Sequence, residues 1–387
     1  MKNKLLISTA FAAFFLLVGV GSSVQGAPPM RACSDQIDND GDGKIDYPAD
    51  PGCDSKNDRD EFNAPPVTCP TEVNVRTQFG TGDSAIRAAI SKAKSCNAPL
   101  YFSTGSYTYS DVLAFDGLKV RGDGDVSVLT TTNKPRMALI LRGAGVELRS
   151  LKITCPQCEL PSGPPTSARL STGESAAVFI QSGTSNFVVD NVTVDRAGSA
   201  GILNWGGHDG RIVNNRVRNT LADAYHNTNG AYNVEVAFNR AENVGDDFFA
   251  VVSYGSDPSP SHDINIHDNI GVGQPWGRGI YLSGYNLKAI GNQLTRTHGA
   301  AILMESGGTY STHGAQNVEI SNNIIREPDT ANIHGANILL VATSSVYAHR
   351  MENIYGSNNN SDCRNNKLPV RKIGTYFYNV TVTGFCG

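Results

Sequence analysis

The sequence predicts an all-β chain, a parallel β-helix (solenoid) with an N-terminal capping helix. Three observations predict it. Short strands carrying one asparagine near the end recur as FVVDNVTV, RIVNNRVR, VEVAFNRAE, INIHDNIGV, LKAIGNQLT and VEISNNIIR. The aligned Asn191, Asn215, Asn239, Asn269, Asn292 and Asn323 are separated by 24, 24, 30, 23 and 31 residues, about one solenoid turn each with insertions in two. Each asparagine is followed by a second short segment, in turn AGILNW, ADAYHN, DDFFAVVS, RGIYLSG, AAILMES and ANILLVA. Charged residues make up only 18% of a chain with 40 glycines, a balance that suits β structure with many tight turns. Stacked in an internal turn, the asparagine side chains can hydrogen-bond from rung to rung while inward Val, Ile and Phe form a continuous core. A sandwich or barrel would need antiparallel hairpins with two-residue turns, and the period is too regular for that.

The elements follow in order. Lys2 and Lys4 precede an apolar run from Leu5 to Val20, and small residues follow up to Gly26. Residues 1–26 are expected to be a signal peptide, giving a secreted (extracellular or periplasmic) mature chain. No later stretch is long and apolar enough to span a bilayer, so no membrane association is expected after cleavage. Eight cysteines agree with export. Proximity in sequence suggests the pairs Cys33–Cys53, Cys69–Cys96, Cys155–Cys158 and Cys363–Cys386, although spacing alone does not fix connectivity. Zinc is the rival reading of Cys155-Pro-Gln-Cys158, but no second Cys or His pair stands at ligand spacing.

Residues 27–62 hold the Asp-rich stretch DNDGDGKIDYPADPGC. Asp38, Asp40 and Asp42 alternate, Gly43 permits a sharp turn, and Lys44 and Asp46 complete the first nine positions of a calcium loop. The pattern departs from an EF-hand at the last ligand, where Ala49 stands and Asp50 comes one step late. It is more similar to the calcium repeats of thrombospondin type 3 and dockerin modules, which implies a structural calcium. A metal-free acidic spacer is the alternative. Residues 63–70 read as a Pro-rich linker, and 71–387 as one β-helix domain. In GDSAIRAAISKAKS, Asp83 is the expected N-cap and Ile86, Ala89, Ile90 and Ala93 keep helical spacing. A helix followed by LYFSTGSYT resembles the opening of pectate-lyase-like domains, in which that helix caps the coil.

The repeat places three aspartates. Asp223 lies eight residues after Asn215 and Asp247 eight after Asn239, so they occupy equivalent positions on adjacent rungs. Their Cα atoms should lie roughly 4.8 Å apart. Asp246 sits beside them where the turn enters the strand. Carboxylates this close cannot all ionise easily, and split pKa values suit acid–base hydrolysis of a glycosidic bond. A ladder of aspartates binding turn N–H groups or a calcium ion is the plainer alternative.

TLADAYHNTNG followed by NVGDDFFAV resembles the α-1,3-glucanase (mutanase and mycodextranase) pattern, and more distantly the polygalacturonases and dextranases. The resemblance covers roughly residues 178–342. It implies a right-handed coil, Asp223, Asp246 and Asp247 as catalytic carboxylates, and inverting hydrolysis. By analogy with polygalacturonases, Asp246 would be the acid, with Asp223 and Asp247 holding the water. Ala224 departs from the family's glycine. WGRGIYLSG, with Arg278, replaces the polygalacturonase Gly-His-Gly turn, and AAILMESGG, with Glu305, replaces a basic Arg-Ile-Lys strand. A glutamate beside an anionic sugar would be unfavourable, so a neutral α-glucan is the expected substrate.

His226, Arg278, Trp205, Trp276, Tyr254 and Glu305 are the expected substrate-binding residues, with Tyr281 less distinctive. Each has a plainer reading as a packing or ion-pairing residue. Uronate-polysaccharide lysis or C5 epimerisation, with Arg278 as base, is the second enzymatic reading, and a non-catalytic adhesin or matrix protein is the third. No basic cluster interleaved with aromatics is present, so no nucleic-acid partner is expected. Nor is any nucleotide-binding motif, so no cofactor is expected for catalysis. A monomer acting on a polysaccharide is the reading taken forward.

Overall fold

A computed structural model describes residues 31–62, 68–273, 276–308, 311–344, 350–363 and 367–386. The expected signal peptide and residues 63–67 of the expected linker lie outside them. The chain divides into two compact units, one up to Thr68 and one from Cys69.

In the second unit the strands form two sheets, one of nineteen strands and one of ten, with strands paired in parallel from turn to turn. This is the parallel β-helix. The six expected second segments lie in the ten-stranded sheet as Ile202–Trp205, Tyr225–Thr228, Phe249–Val251, Ile280–Leu282, Ile302–Ser306 and Ala336–Ala342. Period-two alternation sends Tyr225, Phe249 and Ile280 into the core, where each is fully buried, and turns His226, Ala250 and Tyr281 to the other face. The Tyr225 and Phe249 rings stack 5.1 Å apart. Burying each such aromatic side chain stabilises the rung by about 2–3 kcal/mol.

The capping helix spans Asp83–Cys96 and buries Ile86, Ala89, Ile90 and Ala93. Gly82, not Asp83, is its N-cap. Asp83 is the first helical residue because its carboxylate turns away, accepting from Arg87 one helical turn on and from Ser110 Oγ. The helix ends at Asn97, which takes the left-handed conformation with φ 48°. Cys96 is joined to Cys69, and the other three bonds are Cys33–Cys53, Cys155–Cys158 and Cys363–Cys386.

The asparagine column is real but shifted at one end. Asn215, Asn239, Asn269, Asn292 and Asn323 are buried, and Asn359 extends them by a further rung. Asn239 shows the pattern: its N–H and Nδ2 both donate to Asn269 Oδ1, at 2.9 and 3.1 Å, and Nδ2 also donates to Ile212 O. Asn191 does not belong to the column. Val192 holds that place, its N–H donating to Asn215 Oδ1 at 2.9 Å, while Asn191 is exposed with φ 54° and bonds to Ser150 Oγ. The corner before each column residue needs a left-handed residue, and asparagine tolerates that conformation well, which produced the one-residue misalignment.

Candidate active site

Strand register carries the aspartates into one place. Tyr225 pairs with Phe249 and Phe249 with Ile280, so Asp223, Asp247 and Arg278 stack in one column over three rungs. Each step is sealed by a backbone donor. Asp247 N–H donates to Asp223 Oδ1 at 2.9 Å, and Arg278 N–H donates to Asp247 Oδ1 at 2.8 Å. Gly245 lets the preceding turn approach: a Cβ there would lie 2.4 Å from Leu221 O. Asp246 stands beside the column, and the three aspartates each bring one oxygen within 4.8 Å of the others.

Every carboxylate has a cationic neighbour. His226 Nδ1 lies 2.7 Å from Asp223 Oδ2. Arg278 Nη2 donates to Asp247 Oδ2 at 3.2 Å, its Nε stands 3.0 Å from Asp247 Oδ1, and its Nη1 stands 3.7 Å from Asp246. Arg169, on a loop outside the repeat, donates from Nη1 to Asp246 Oδ2 at 2.7 Å. Sequence reasoning missed Arg169. It is 77 residues from its partner and carries no periodic signal.

Burial and charge separate the three acids. Asp247 is only 2% exposed, and burial, helped by the charges of Asp246 and Asp223, pushes it up to about 8 against the pull of Arg278. Asp246 is also raised, by burial first and then by Asp223, although Arg278 and Arg169 oppose this. Burial would raise Asp223 as well, but the His226 charge and hydrogen bond, with Arg169 and the Asp247 N–H, hold it below the ordinary value. His226 is raised in return: burial works against its charge, and Asp223 outweighs it. The cluster therefore favours ionisation at Asp223 and a proton on its partner His226, and favours the protonated forms of Asp246 and Asp247.

These groups line a cavity of about 580 Å³. Pro164, Pro165, Thr166 and Arg169 form one wall, and Glu305, Gly307, Gly308 and Thr312 lie among the other lining residues. Val252 and Tyr281 belong to a small apolar cluster on the same sheet face with Ala250 and Leu303. Of the expected substrate-binding residues, His226, Arg278, Trp276, Tyr254 and Glu305 line the cavity, as does Tyr281. Trp205 does not; it ends its strand 40% exposed, outside the lining.

In the N-terminal unit, Asp38, Asp40 and Asp42 converge, with one oxygen of each within 4.8 Å of the others. Asp38 accepts from the N–H of Gly41 and Gly43, and Asp42 from that of Lys44, which wraps the loop around the carboxylates. This all-oxygen set fits a hard cation such as calcium. Asp46 stands apart from it, its two oxygens accepting from the N–H of Asp35 and Gln36 at 2.9 Å each.

Fold and site together define a parallel β-helix protein with a buried carboxylate cluster in a surface cavity. No protein-family model matches the chain, and neither does any curated protein. Solved structures share its fold. The A-module of the Azotobacter vinelandii mannuronan C-5 epimerase superposes with TM-score 0.58 at 16% identity, over 81% of this chain and 99% of that one. The catalytic unit of a thermostable GH87 α-1,3-glucanase from Streptomyces thermodiastaticus gives 0.55 at 17% identity, over 84% and 69%. ORF18 of Geobacillus virus E2 gives 0.55 at 12% identity, over 82% of this chain and 60% of that one, so this chain spans about three-fifths of its length.

Proposed function

We propose that the chain is an exported glycoside hydrolase acting on a polysaccharide, with a neutral α-glucan as the best fit. The observation that carries this reading is the carboxylate cluster, in which one member is held ionised and two are held protonatable within one cavity. Asp246 is assigned as general acid, because its side chain is 24% exposed whereas that of Asp247 is 3%. Asp223, ionised beside His226, is the base, and Asp247 helps it hold the water. The nearest oxygens lie within 4.8 Å. That is tighter than the ~6.5–9.5 Å between carboxyls usual for inversion, so the anomeric configuration of the released sugar is the check on the inverting reading.

The neutral substrate follows from charge. Arg169 and Arg278 are committed to Asp246 and Asp247, His226 to Asp223, and Glu305 adds a further carboxylate to the lining. A uronate would find a poor counter-charge here. Four disulfides and the N-terminal apolar segment support export. We assign a structural calcium to the Asp38–Asp42 loop. Calcium should raise the Tm of the wild-type chain and leave that of Asp38→Asn/Asp42→Asn unchanged.

The test is product analysis of the mature protein with α-glucans, polygalacturonate and alginate. Reducing ends released from a glucan, without unsaturated products, are the expected result. Unsaturated products from a uronate polymer would assign lysis instead, and an alginate altered without chain cleavage would assign epimerisation. No change in any polymer would leave a scaffold protein.

A further inference from the structure

The residues 155–175 loop leaves the solenoid between two strands of adjacent turns and returns with one long side chain, that of Arg169, laid across two other rungs. Each of its three guanidinium nitrogens donates once. Nη1 donates to Asp246 Oδ2 at 2.7 Å, Nη2 to Gly245 O at 2.9 Å, and Nε to Leu221 O at 2.9 Å. Gly245 immediately precedes Asp246, and Leu221 lies two residues before Asp223. A single planar group therefore ties the turn leading into the first aspartate, the turn leading into the second, and one carboxylate. A planar fork can hold three acceptors in one plane at fixed angles, which an ammonium cannot do.

Two arginines share the cluster but differ in construction. Arg278 belongs to the aspartate column itself and is fixed by the strand register. Arg169 reaches the cluster from outside the repeat.

We infer that Arg169 is a positioning residue for the proposed hydrolysis: it sets the spacing between the two aspartate-bearing turns and the charge felt by Asp246 and Asp223. The inference rests on the assignment of that cluster as the hydrolytic site. The groups facing Asp246 are Asp223, Asp247, His226 and Tyr254 on the strands and turns, Arg278 on the next rung and Arg169 on the loop. Removing one of the two guanidinium charges makes both the acid and the base harder to ionise. The base must be ionised and the acid protonated, so both limbs of the pH profile move to higher pH.

Arg169→Gln and Arg169→Lys separate the two roles. Arg169→Gln should shift both limbs of kcat/KM upward and lower kcat roughly tenfold to hundredfold, with KM little changed. Arg169→Lys keeps the charge without the fork, so its limbs should return towards wild type while kcat stays low. Limbs unmoved in Arg169→Gln, or a rise in KM alone, would overturn the inference in favour of a structural or substrate-contact role. Titration of the aspartate carboxyls by ¹³C NMR in wild type and both variants reads the charge effect without any substrate. An upward shift there in an inactive wild type would retire the hydrolase reading and keep the electrostatic role; no shift would retire that role whatever the activity. Thermal melts of both variants show that the chain compared is folded.

Discussion

Two polar columns run along the same solenoid, the second eight residues after the first on the two aspartate-bearing rungs, and they treat buried polarity in opposite ways. The asparagine column is neutral, and each amide donates to the one on the next rung. The Asp223–Asp247 column repeats a group that cannot satisfy its own copy: two carboxylates one strand spacing apart repel, and His226, Arg278 and Arg169 relieve that only in part. Repetition in a β-helix stabilises when the repeated group is its own hydrogen-bond partner. It confers proton affinity, and with it reactivity, when the repeated group is an acid.

The comparison can be broken most severely at the acid. Asp246→Asn should lower kcat by roughly 10²–10⁴-fold with the circular dichroism spectrum intact; activity near wild type would remove Asp246 from the chemistry. In the asparagine column, Asn269→Ala leaves the Asn239 N–H and Nδ2 without their shared acceptor. It should cost about 2–4 kcal/mol in urea unfolding while activity per folded molecule is kept. A neutral result would mean that water or a shifted side chain takes the acceptor's place.

Asp247→Asn sharpens the contrast, because it should be inactive yet less sensitive to pH. The folded-state value of about 8 lies above the ordinary aspartate value, so the folded chain keeps a proton that the unfolded chain releases. Stability from this group is full below about pH 4 and is lost as the pH rises through about 8. The variant should therefore lose less Tm than wild type over that window, and an equal loss in both would count against the protonated Asp247. The smallest effect concerns the two tryptophans. Trp276→Ala should raise KM about three- to tenfold, as loss of a sugar-stacking ring would, whereas Trp205→Ala should leave kcat and KM unchanged. Reversed effects would relocate the substrate.

The repeat made the column positions readable, and with them the pairing of Asp223 with Asp247, since both are counted from buried asparagines. It failed where the count met look-alikes. Asn191 occupies a left-handed corner, a place asparagine fills as readily as the column itself. Asn359 was hidden in the run SNNNS behind a 36-residue turn. The cavity wall was less legible still. Arg169 and Pro164–Thr166 belong to a loop with no period, and their meeting with Asp246 is set by tertiary packing alone.

The distance between Asp223 and Asp247 is governed by hydrogen-bond pitch, whereas the length of chain between successive rungs varies from 23 to 36 residues. Insertions between rungs can therefore reshape the cavity walls without moving the acids. In such an architecture the outline of the cavity and the proton affinity of its acids are separately adjustable, and a loop can be lengthened while the proton chemistry beneath it is inherited unchanged.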